Sequence, residues 1–164
     1  MTRRMEIRLE KRGVACAAEL LDDDAEVTCD IVWNALPLEG DVSHAKYASN
    51  EIYTLVPPIR DDEPGLENST VVPAAGDVVY FYFPAGQLGR RWMRERGFGD
   101  LPGLVDLAVF YGRNNFLFNP ATGFVPGNVY ARITENLEAF AAAANDVWKS
   151  GAVGERLIYR RLEG

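Results

Sequence analysis

One histidine and two cysteines are the only imidazole and thiol groups in this 164-residue sequence. His44 stands alone, so a multi-histidine site is excluded and a structural zinc site lacks ligands. Cys16 and Cys29 form no Cys-x-x-Cys pair, and a cytosolic chain with two cysteines rarely carries a disulfide. No apolar run is long enough to span a membrane as a helix. Met1-Thr-Arg-Arg-Met-Glu leads straight into an alternating segment, with no secretory pattern before it. A basic excess is missing as well: the formal charge is −7 and the pI is near 4.8. That balance disfavours nucleic acid and anionic membrane as partners. The expectation is a cytoplasmic protein with no nucleic-acid or membrane partner, no metal and no cofactor.

Hydrophobic residues make up 48% of the chain and charged residues 25%, the mix of a globular protein. The length suits one domain over residues 1–164 with a sizeable core. Acid is clustered at Glu19, Asp22, Asp23, Asp24, Glu26 and Asp30, and again at Asp61, Asp62, Glu63 and Glu67. Arg90, Arg91, Arg94 and Arg96 form a basic patch. All three groups read as solvated loops and helix ends.

Alternation predicts a hairpin over residues 5–21, turning at Lys11-Arg12-Gly13. A helix follows, with Val27, Ile31, Val32 and Ala35 on one face, Asp23 and Glu26 as an acidic capping pair, and Pro37 as its stop. Trp33 is placed to anchor it to a sheet. Residues 38–50 read as partly extended. Strands are predicted at 51–56, 78–83, 105–111 and 128–133, with a short hairpin turning at Asn119-Pro120-Ala-Thr-Gly123. The Gly-rich, basic stretch from Pro84 to Gly103 carries at most one helical turn near Arg91–Arg94, and a connection of that length is often functional. Thr134 is a candidate cap for a last helix bearing Leu137, Phe140, Ala141, Ala144, Val147 and Trp148 at helical spacing, ended by Gly151. Residues 156–162 form the final strand. Two helices among many strands predict a mostly-β protein, a barrel with helices over its open ends.

That order, and the segment Val129-Tyr-Ala-Arg-Ile-Thr-Glu-Asn-Leu-Glu-Ala-Phe in particular, resembles the cyclophilin fold, a closed β-barrel of about eight strands with two capping α-helices. A closer resemblance is to a bacterial family of small cyclophilin-like proteins of unknown function. Its segments appear as Trp33-Asn-Ala-Leu-Pro37, His44-Ala, Glu51-Ile-Tyr53, Gly76-Asp-Val-Val-Tyr80, Phe110-Tyr-Gly112 and Gly127-Asn128. The resemblance implies a barrel with a cleft and no established activity. Cyclophilins proper isomerise X-Pro bonds with an arginine and a glutamine. The matching region, roughly Ser43 to Pro57, has neither that arginine nor the glutamine element. A prolyl bond resists rotation by about 20 kcal/mol, so losing the group that stabilises the twisted amide argues against isomerase activity.

Six residues are candidates for a ligand site: His44, Glu51, Tyr53, Tyr80, Tyr111 and Arg113. His44 is the only group that titrates near neutrality without perturbation, and it is either an acid–base group or a loop histidine bonded to a carbonyl. Strand alternation puts Glu51, Tyr53 and Leu55 on one face, with the look of a pocket wall, and Ile52, Thr54 and Val56 on a core face. If Glu51 faces a low-dielectric cleft, its pKa rises. Tyr80 and Tyr111 are strand aromatics, either core or hydroxyl donors. Arg113 ends an apolar strand and suits an anion if a cleft lies beside it. Ser43-His44 is no dyad, because adjacent residues of a strand point apart. Asp22-Asp23-Asp24 lacks the spaced ligands of a calcium loop. Two functions follow: a module binding a small polar or anionic molecule in a cleft near His44, Glu51, Tyr53 and Arg113, or an enzyme using His44 and Glu51 on a small metabolite. A structural subunit of a homo-oligomer, packing through exposed strands, is a further alternative.

Overall fold

The structure, a computed structural model, describes residues 1–163. Strands β1 (Arg4–Leu9) and β2 (Val14–Leu20) form the first hairpin, followed by helix α1 (Glu26–Ala35). Strands β3 (Leu38–Asp41), β4 (Ser43–His44), β5 (Glu51–Val56), β6 (Ser69–Thr70) and β7 (Asp77–Pro84) come next. Two short helices, α2 (Ala85–Leu88) and α3 (Arg90–Glu95), precede β8 (Gly103–Phe110). A small hairpin of β9 (Phe118–Asn119) and β10 (Gly123–Phe124) leads to β11 (Gly127–Glu135), α4 (Leu137–Ser150) and β12 (Arg156–Arg161). The predicted barrel is present. Its long strands and its two long helices fall where alternation and helical spacing put them, α3 falls on the helical turn expected near Arg91–Arg94, and α2 is an addition that a short segment concealed.

The main sheet runs β3-β12-β1-β2-β11-β7-β8-β5-β4, antiparallel at every pairing. It curls until its ends nearly meet, with β3 beside β5. Gly40 marks that seam: a Cβ there would stand 2.3 Å from Thr54 Oγ1 and 3.4 Å from the Leu55 carbonyl. Only glycine lets the two backbones come this close.

Alternation decides what fills the interior. Met5, Ile7 and Leu9 of β1, Ile52 of β5, Val78 of β7 and Val105, Leu107 and Val109 of β8 are fully or nearly fully buried in one cluster with Tyr130 and Tyr159. Each such aliphatic side chain contributes about 1.5–3 kcal/mol through burial. Helix α1 lies against β11, burying Thr28, Cys29, Ile31 and Val32, and α4 lies against β2 and β4, burying Phe140, Ala144 and Val147. Trp33 is half-buried against this core, under the guanidinium groups of Arg3 and Arg161.

The helix caps differ from those the local sequence predicts. Neither Asp23 nor Glu26 caps α1. Glu67, from a distant loop, accepts hydrogen bonds from the Val27 and Thr28 backbone N–H groups and from the Thr28 hydroxyl. Helix α4 starts after Asn136 in a left-handed conformation (φ 62°), not at Thr134, because β11 continues through Glu135. The Asn136 amide instead donates to the Ala15 carbonyl of β2. Gly151 ends α4 as predicted, with φ 94°. No helix among the described residues is long and apolar enough to cross a membrane.

Candidate binding cleft

The outer face of β5, β8 and β7 carries a second apolar cluster, Val79, Phe81, Ala108, Phe110, Leu117 and Val129, separate from the interior. Three segments cover it: residues 45–48, the α2–α3 stretch, and the loop holding β9 and β10. A cleft of about 460 Å³ lies between them. Glu51, Tyr53 and Leu55 of β5 and Asp106 of β8 form its floor. Phe81 and Phe83 of β7, Phe118 and Leu117 of the hairpin loop, and Trp92 of α3 form its walls.

Register explains the floor. Leu55 pairs with Asp106, Tyr53 with Ala108 and Glu51 with Phe110, while Phe81 pairs with Asp106 from the other side. All of these lie on the face opposite Ile52 and Leu107. The sequence therefore sorts β5 correctly: its Glu51-Tyr53-Leu55 face is the cleft wall and its Ile52-Thr54-Val56 face is core.

Two acids stand buried on this floor. Glu51 is 5% exposed and Asp106 is 6% exposed. Burial alone raises the Glu51 carboxyl from its ordinary 4.5 to about 8. Burial, then the nearby Glu51 charge, raises Asp106 well above its ordinary value. Asp106 Oδ1 has no hydrogen-bond partner among the described residues. Tyr53, on the strand between the two acids, is pushed up to about 12 by burial and by the charges of Asp106 and Glu51. Ser43 stands opposite Tyr53 in the β4–β5 pair. At the rim, Arg96 lays its guanidinium 3.9 Å from the Trp92 ring centroid, and Lys46 lines the opposite side. A neighbouring hollow beyond Tyr53 and Arg96 is lined by Glu39, Asp41, Glu95 and Arg156.

The other sequence candidates lie elsewhere, so the expected convergence of His44, Glu51 and Arg113 does not occur. His44 pairs with Ile52, and its side chain is on the core side of the sheet. Its Nδ1–H donates to the Ala45 carbonyl (2.8 Å), so Nε2 accepts from the Tyr111 hydroxyl (2.6 Å). The ring also packs on Trp148, 5.0 Å between centroids. Burial lowers the His44 pKa, and the Ala45 carbonyl opposes that without reversing it, so the site favours the neutral ring. Tyr111 is thus taken up by His44. Tyr80 is buried and donates to Glu63 Oε2 (2.6 Å), facing a hollow on the far side of β7. Arg113 is exposed, and its carbonyl accepts from the Asn50 side chain.

Asp106, Trp92 and Arg96 were not among the sequence candidates. Asp106 had a signal: it is the one charged residue inside Gly103-Leu-Val-Asp-Leu-Ala-Val-Phe, a strand buried along its length. Trp92 and Arg96 are four apart, a helical spacing, in the stretch where the sequence predicts one helical turn, but nothing local places that turn over the β5–β8 face.

The sequence matches, over residues 7–159, the family described as "Protein of unknown function (DUF3830)". The chain belongs to this DUF3830 family. No curated protein matches it. Among solved structures, McbB in complex with tryptophan is similar, with a TM-score of 0.61 and 16% identity. That match covers 98% of this chain but 45% of the McbB chain, so the DUF3830 chain spans under half of McbB. The hypothetical protein AF2241 from Archaeoglobus fulgidus, known from a solution structure, has a TM-score of 0.52 and 21% identity, covering 98% of this chain and 95% of its own. At these identities the likeness shows the fold alone.

Proposed function

We propose that the outer-face cleft binds a small organic molecule, with its polar group over Glu51, Tyr53 and Asp106 and its body against the aromatic walls. The observation that carries this reading is the pair of buried carboxyl groups on an open floor. A buried acid without a partner destabilises the fold that holds it. Asp106 Oδ1 has no partner among the described residues, so a polar group entering the cleft would supply one. Apolar walls around a few convergent polar groups are the common form of a small-molecule site. McbB was solved with tryptophan, and a molecule combining polar and aromatic groups also suits this cleft. The resemblance to cyclophilin-like barrels, with a cleft beside the barrel, belongs to the same reading. So does placement in the cytoplasm, in keeping with two buried, free cysteines.

A second reading is enzymatic. A carboxyl held at about 8 exchanges its proton near neutrality, the range a general acid–base group needs. Glu51 would act with Tyr53 and Asp106 as neighbours, and without His44, which faces the other way.

The test is a fragment screen read by NMR on the intact chain. Binding should shift the Trp92 indole and the Tyr53 and Phe118 rings while leaving His44 and Trp148 unmoved. Fragments that perturb only the His44–Tyr111 region, or none that reach Trp92 and Tyr53, would overturn the cleft as the site.

A further inference from the structure

We propose that the polar group taken by this cleft is a protonated amine, bound by the Glu51 and Asp106 carboxylates, on a small molecule with an apolar or aromatic body. The inference rests on the cleft reading above and names its ligand class.

Three observations favour a cation over an anion. First, the two acids are each more than nine-tenths buried and lie on one face of adjacent strands, four residues apart in register, and the Glu51 charge adds to the burial that raises Asp106. An ammonium group relieves their lost hydration and the repulsion between their charges, and it can donate to Asp106 Oδ1, which has no partner among the described residues. Second, the walls are aromatic, Phe81, Phe83, Phe118 and Trp92, and Trp92 already holds a cation, the Arg96 guanidinium, over its ring. Their negative quadrupoles attract a cation and repel an anion. Third, the molecule carries −7, which concentrates cations at its surface. Against these stand Arg96 and Lys46; Arg96 is exposed and already stacked on Trp92, and its charge reaches Tyr53, where it is the weakest influence, behind burial and the two acids. Their place suits the far end of a ligand rather than the group on the floor.

Binding an ammonium requires the floor to ionise. The Glu51 carboxyl, raised to about 8 by burial, holds its proton near neutrality, so binding releases that proton to solvent. No covalent step is involved. With the Glu51 carboxyl at about 8, its ionised fraction falls from about one half at pH 8 to about 1% at pH 6, so amine affinity should weaken roughly fifty-fold over that interval.

The experiment is titration calorimetry of the whole chain with 2-phenylethylamine, 2-phenylethanol and 3-phenylpropanoate, at pH 6 and pH 8, in buffers of differing ionisation enthalpy. The expected result is preference for the amine, proton release on binding, and the stated rise in affinity with pH. Glu51→Gln and Asp106→Asn, close in shape to the protonated acids, should remove both the preference and the proton release. Equal or tighter binding of the alcohol or of the propanoate, or affinity that falls as pH rises, overturns the amine assignment and leaves the cleft reading standing. If none of the three probes binds, the amine assignment is likewise overturned, and the fragment screen above decides the cleft reading separately.

Discussion

Replacing Glu51 with glutamine should make the protein more stable, and by an amount that depends on pH. The folded chain holds the Glu51 proton up to about pH 8, whereas the unfolded chain releases it near the ordinary 4.5. Between those values the folded state binds the extra proton, so each unit of rising pH costs about 1.4 kcal/mol of stability on account of this one group. The contribution is intact below about pH 4.5 and is lost as pH climbs through about 8. The whole interval amounts to roughly 5 kcal/mol, and the step from pH 5.5 to 7.5 to about 3 kcal/mol. Glutamine keeps the shape of the protonated acid and has nothing to ionise. Glu51→Gln should therefore gain about 3 kcal/mol on the parent between pH 5.5 and 7.5, or close to 9 °C in melting temperature for a chain of this size. Urea denaturation of both proteins at the two pH values measures it. A stability gap of the same size at both pH values would refute the reasoning, because it would mean that Glu51 ionises alike in the folded and unfolded chain.

Three further perturbations probe the frame that holds the cleft. Glu155 is 1% exposed, accepts from the Lys11, Arg12 and Arg156 backbone N–H groups, and pairs with the Arg12 guanidinium at 3.0 Å; Glu155→Ala leaves these donors unmet and should lower the urea-unfolding free energy by about 3–5 kcal/mol. Gly40→Ala drives a methyl group into Thr54 Oγ1 and should cost about 1–3 kcal/mol; adding Thr54→Ala should recover part of the loss, and a double-mutant cycle showing simple additivity would remove Gly40 from the seam. Glu67→Ala removes the cap on α1 and should cost about 1–2 kcal/mol near neutrality. Burial raises the Glu67 pKa, but bonds from Thr28 and Val27 outweigh it and the net shift is downward. Its stabilisation is therefore full above about pH 4.5 and fades as pH falls through the lowered range, so the gap between parent and variant should close in acid.

Most of the barrel was legible because period-2 alternation survives wherever a strand has one core face, as in Met5-Glu-Ile-Arg-Leu and Glu51-Ile-Tyr-Thr-Leu-Val. Alternation even separated the cleft face of β5 from its core face. The helix starts were not legible, although the Gly151 stop was: Glu67 reaches α1 from 39 residues away along the chain, and no local pattern encodes that. The site was half legible for the same reason. Glu51 and Tyr53 share a strand, so spacing places them together, but Asp106 joins them only through the β5–β8 register. His44 and Arg113 were drawn in by chemical type. His44 lies opposite Ile52, which turns its ring to the other side of the sheet, and Arg113 lies beyond the end of β8 in solvent.

The most direct test of the account is a carbon-13 NMR titration of the glutamate and aspartate side-chain carboxyls, with Glu51 and Asp106 assigned through Glu51→Gln and Asp106→Asn. The account predicts that Glu51 titrates near pH 8 in the free protein, that Asp106 titrates well above its ordinary range, and that saturating 2-phenylethylamine moves both downward. Two carboxyls titrating near pH 4, unmoved by the amine, would contradict it.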